Sequence, residues 1–209
     1  MKTKVVVSTT FVFRQCFVLD CKQVSTMTIR VPAILHDVFG ERQSGGEIAA
    51  VLGVGLAVAC ALFLVFPTWT MELPWWRSLL AFLLCFDVAA GSVANFTRGT
   101  SDYYAQRPRH RWIFIAIHVH LPALAWLLSV YLWPAIAAWA YTIMGAAIVN
   151  WLHGHSQQVF VAAVLWVLGL ALVIGFGGFP PPFLIIAVLF LTKVLYAFSV
   201  DHYRNDRGI

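Results

Sequence analysis

Asp87, His118, His120 and Lys193 each stand inside an apolar run: FLLCFDVAAG around the acid, WIFIAIHVHL around the imidazoles and LFLTKVLYAF around the amine. An ionisable group at the centre of a hydrocarbon-length helix costs about 2.5–3.5 kcal/mol unless it is partnered, so such groups mark functional sites. Asp87 and Lys193 are the only acid and amine deep in the runs, and the least costly arrangement pairs them, directly or through His118. A carboxylate that switches protonation, a counter-charge and an imidazole relay are the parts needed to bind or move a small solute or a proton.

Spacing refines this reading. Asp87, Gly91 and Asn95 fall at i, i+4 and i+8 and share one helix face. His118 and His120 are two residues apart, so a regular helix turns them to nearly opposite faces. Pro122 lacks an N–H and frees the carbonyl four residues back, that of His118. Tyr196 follows Lys193 by one turn, and Asn95 and Asn150 are expected at the inner mouth of the pocket.

A second polar group, Asn150, His153, His155, Asp201 and His202, lies at the ends of two runs. Imidazole and carboxylate are competent zinc ligands, so the alternative is a membrane-embedded, metal-dependent hydrolase acting on a lipid. Its metal would sit on His153, His155, Asp201 and His202, with Asp87 and His118 as further ligands or acid–base groups around a metal-bound water. The chain contains H-x-H twice but neither H-x-x-x-H nor H-E-x-x-H. No cofactor is therefore assigned, and zinc belongs to the alternative alone. A third reading is a non-catalytic assembly or scaffold protein whose buried polar groups set helix register. A P-loop, a dinucleotide fingerprint and a nucleophile elbow are all missing.

The elements that position these residues follow from composition. Of 209 residues 61% are hydrophobic and 11% charged, with a mean hydropathy of +0.81, where a soluble domain carries roughly 25% charge. The runs approach the ~20 residues that cross a bilayer as helix and lack the alternation of barrel strands. The fold expected is an all-α membrane domain, a bundle of six transmembrane helices over about 48–66, 79–96, 112–133, 135–152, 159–177 and 183–200 within residues 47–209. Ala49, Gly53 and Ala57 suggest a small-residue stripe for close helix packing, and Pro134 suggests the turn between the third and fourth spans. Residues 97–111, TRGTSDYYAQRPRHR, read as a basic loop.

Residues 1–46 form an N-terminal cytoplasmic segment on this reading. Met27 opens a plausible lead-in, so residues 1–26 read as a mis-called start or an extension. Arg30, Arg42, Arg98, Arg107, Arg109, Arg111, Arg204 and Arg207 fall on one side and only Arg77 on the other. The positive-inside rule then places both termini in the cytoplasm of an inner or plasma membrane protein. The partners expected are the bilayer and, as for six-span transporters in general, a second copy in a homodimer. The basic residues form no single patch, which argues against nucleic acid.

Overall fold

The computed structural model describes residues 28–207 apart from Thr70 and Tyr131; the expectations for residues 1–26, and the start at Met27, lie outside the described residues. The chain begins as a small cap: β1 (Thr28–Arg30), a short turn, α1 (His36–Phe39) and β2 (Arg42–Ser44), with β1 and β2 antiparallel and Ile29 opposite Gln43. The cap was not visible in the sequence, because three-residue strands are too short to show a period.

The spans follow in order: α2 (Gly45–Val65), α3 (Trp75–Ala94), a surface helix α4 (Arg98–Ala105), then α5 (Pro108–Ile117) and α6 (His120–Leu128), which together form one broken span. They are succeeded by α7 (Leu132–Trp151), α8 (Gln158–Phe176) and α9 (Pro181–Leu191), which continues as a π-helical segment over Thr192–Phe198. Among the described residues, six helices are thus long and apolar enough to cross a membrane. Apart from the short strand pair of the cap the chain is helical, and its six apolar helices are those of a multi-pass membrane protein.

Local chemistry explains most boundaries. Ser44 and Glu47 close a capping box at the start of α2, with the Ser44 N–H 3.3 Å from Glu47 Oε2. Prolines open α5 (Pro108) and α9 (Pro181, Pro182), where the missing N–H has no helical partner to lose. The basic loop expected over 97–111 is instead α4 followed by the first turn of α5. The turn after the third span falls at Ser129, which adopts a left-handed φ of 55°, ahead of Pro134. Pro134 then sits in the first turn of α7, where proline is tolerated. Arg77 closes the end of α6, donating to the Trp126 carbonyl and, at 2.9 Å, to Ser129 Oγ.

The last span is the core of the bundle, 61% buried against 17–44% for the other five. α3 packs on α2, α6, α9 and the π-helical segment, but not closely on α5. The stripe Ala49–Gly53–Ala57 faces outward; the contact with α3 is made two residues on, by Val51, Gly55 and Ala59. Both registers are small enough to pack. Phe86 and Ala90 on α3, which close on Gly55, decide between them.

Candidate functional site

Lys193 lies in the π-helical segment and is 3% exposed. Its Nζ reaches Asp87 Oδ2 on α3 at 2.6 Å and the Asp87 carbonyl at 3.3 Å. Its stem lies over Gly91, and a β-carbon there would stand 2.8 Å from Nζ. Asn95 Nδ2, one turn further on, donates to the Lys193 carbonyl at 3.3 Å, supplying one of the partners that a π-helical turn needs for its backbone. The face Asp87–Gly91–Asn95 is therefore the surface on which the lysine is seated.

The second group on Asp87 is His120, whose Nε2 lies 2.9 Å from the same oxygen, Oδ2. His118 does not touch the carboxylate; its Nδ1 donates to the Phe114 carbonyl. The expectation that the two imidazoles point apart is corrected: their ring centroids are 4.9 Å apart. The helix breaks between them, at His118 and Val119. Pro122 offers no N–H to the His118 carbonyl, and Trp139 Nε1 on α7 takes that carbonyl at 2.8 Å. The proline thus frees an acceptor and the tryptophan stabilises the break.

These groups face a cavity of about 380 Å³ lined from Asp87, Gly91, Asn95, His118, His120 and Lys193 up to Tyr104, His110 and Asp37 near the cap. The Asp87 side chain is 48% exposed, and its Oδ1 has no partner among the described residues. At the capped end, Tyr104 OH donates to the Asp37 carbonyl at 3.0 Å and Thr100 to the Val38 carbonyl at 2.8 Å. Burial first, and then the Asp37 charge, push the Tyr104 phenol well above its usual range, so it stays a neutral donor.

A second polar cluster ties the capped ends of the helices together. Arg111, expected in the loop, is 3% exposed; it donates to Asn150 Oδ1 at 2.6 Å and to the Ser199 carbonyl at 2.8 Å. Asn150 is thereby committed to Arg111 and is not among the cavity's lining residues. Gln158 bridges the Val149 and Ser199 carbonyls and accepts from the Asp201 N–H. Tyr196 also lies away from the cavity, its ring against Phe96, Trp166 and His202.

The four residues of the metal alternative are not gathered. Asp201 is paired with Arg207, and His202 Nε2 lies 3.2 Å from both the Tyr196 and Ala197 carbonyls. His155 Nδ1 accepts from the Gln157 N–H at 3.2 Å. Burial lowers the proton affinity of His153 and His202; Arg111 adds to the effect at His153, while the carbonyls and Asp201 oppose it at His202. Among the described residues no three His, Cys, Asp or Glu side chains form a metal-holding group.

Trp139 and Arg111 are the residues that sequence reasoning passed over or misplaced. Only Arg111 carried a usable signal, since Pro108 marks a helix start three residues ahead of it. Compared with protein-family models, curated proteins and solved structures, the chain matches none.

Proposed function

We propose that the protein binds and translocates a small ligand through the α3–α5 cavity, with proton movement at Asp87. The observation that carries this reading is the convergence of Lys193 and His120 on one oxygen of Asp87, while Oδ1 stays open to the cavity. A proton reaching that carboxylate removes the charge that holds both partners, so ligand occupancy and protonation are linked through a single group. Asp87 is the switchable carboxylate, Lys193 its counter-charge and His120 the imidazole in contact. His118 lies behind His120, and Asn95 holds the lysine backbone. His120 Nδ1 is buried without a partner among the described residues, which leaves it as an acceptor through which a proton can pass on from Asp87.

Orientation belongs to the same proposal. Among the described residues, the capped end holds Arg30, Arg42, Arg98, Arg107, Arg204 and Arg207 outside the spans and Arg109 and Arg111 in the first turn of the third span, and Arg77 is alone at the other end. That bias supports a cytoplasmic cap in an inner or plasma membrane.

Proteoliposomes loaded with a pH-sensitive dye and energised by a potassium diffusion potential test the reading. Wild-type vesicles should acidify faster than vesicles carrying Asp87→Asn, with His120→Gln intermediate. Equal rates in all three, at the level of empty liposomes, would overturn it.

A further inference from the structure

The cavity's outer wall is exposed on the side facing the bilayer. Ile113 and Ile117, one turn apart on α5, line it and are 56% and 60% exposed. Across the cavity, α3 lines it with Asp87, Gly91 and Ala94, which share one helix face. The face of α5 that lines the cavity is therefore a face that no helix covers. Asp87 stands at the inner end of an apolar slot with a half-exposed carboxylate, and a charge so placed in hydrocarbon calls for a polar cover.

We infer that the occupant is a neutral, hydroxyl-headed amphiphile, such as a long-chain alcohol or an acylglycerol. Its hydroxyl would lie on Asp87 and its tail would run out between α3 and α5 into the bilayer. This assignment rests on the proposed binding function and names its ligand class. The polar requirement comes from Asp87 Oδ1, an acceptor without a partner, so the head must donate a hydrogen bond. The neutral requirement comes from Lys193, which already balances the carboxylate; an ammonium or an anionic head would leave a net charge at membrane depth. The apolar requirement comes from Ile113 and Ile117, the exposed aliphatic side chains on the wall of the slot. A volume of about 380 Å³ falls within the roughly 300–1,000 Å³ of small-molecule sites. A helix from a second copy, about 10–12 Å across, does not enter it.

The test reconstitutes the full chain in phosphatidylcholine vesicles with a long-chain alcohol carrying a photoreactive diazirine and an alkyne. After irradiation, the labelled peptides are identified by mass spectrometry. Label should concentrate on α3 around residues 87–94 and on α5 around residues 113–117, the stretches that line the cavity. It should fall about tenfold when unlabelled alcohol is present at about nine times its own dissociation constant. The alkane of the same length, which lacks the head, and a short-chain alcohol, which lacks the tail, should not compete. Ile117→Trp, which fills the slot, should lose the α3 label, whereas Leu168→Trp on the exposed face of α8 should keep it. Thermal unfolding of both variants establishes that they are folded.

Label spread evenly over the lipid-facing helices, or equal competition by the alkane, would show ordinary bilayer contact and overturn the assignment. So would cross-linking that traps a pair of chains through α3 and α5 while excluding the label. Specific label without Asp87-dependent proton flux would keep the binding site and overturn proton movement. Flux with diffuse label would do the reverse.

Discussion

At the scale of single residues, Gly91 sets whether the pair at the centre can form. A β-carbon at that position would collide with the Lys193 stem, 2.8 Å from Nζ. The lysine stem has to shift to relieve the contact, and a shift draws Nζ away from its 2.6 Å contact with Asp87 Oδ2. Gly91→Ala should therefore lower stability by about 1–3 kcal/mol, the usual range for overpacking, and should slow the Asp87-dependent flux as well. Thermal unfolding, followed by a thiol-reactive dye that reports exposure of Cys60 and Cys85, checks the first effect. An unchanged midpoint would mean that Lys193 has another rotamer open to it. The pair itself was legible in the sequence by elimination, because a bilayer leaves one acid and one deep amine few other places to go. Which histidine joins them was not legible. On a regular helix His118 and His120 point apart, and only the break at Val119 brings His120 to the carboxylate.

At the scale of elements, that break depends on Pro122 and Trp139 together. The proline withholds the N–H that would satisfy the His118 carbonyl, and the indole supplies a replacement at 2.8 Å. Pro122→Ala restores the backbone donor and lets α5 and α6 run as one helix. His118 and His120 would then turn apart and His120 would leave Asp87. Helix propensity alone favours alanine over proline by about 3 kcal/mol. The variant should thus be at least as stable as wild type by thermal unfolding, yet its flux should match that of His120→Gln. A less stable variant with wild-type flux would show that the break is held from elsewhere. The last span has the same character: its π-helical turn displaces Lys193 and is satisfied from the side chains of Asn95, Ser199 and His202. The six spans were readable because hydrocarbon thickness sets helix length. Interruptions within spans were not, since their stability comes from side chains on other helices.

At the scale of the whole molecule, the charge asymmetry between the two ends also sets where the fold should fail in acid. His153 and His202 lie just past the ends of α7 and the last span, outside the spans, and are partly buried. Burial holds both below the ordinary imidazole value, so each binds a proton less readily in the fold than in the unfolded chain. The unfolded value is about 6.5. Below it the unfolded state takes up more protons than the folded one, and stability rises with pH across that window. The contribution is complete above about pH 6.5 and is lost as pH falls toward the lower folded values. His202 carries the larger structural consequence, because its ring packs at the end of the π-helical segment that carries Lys193, bonded to the Tyr196 and Ala197 carbonyls, and those bonds offset only part of the cost of burying its charge. The unfolding midpoint should therefore drop between about pH 7 and pH 5. In His202→Gln, whose amide can still donate but does not titrate in this range, the slope should flatten while the midpoint at neutral pH changes little. An unaltered acid slope in that variant would place the sensitivity on His153 or on other groups at the capped end, and His153→Gln would separate these two cases.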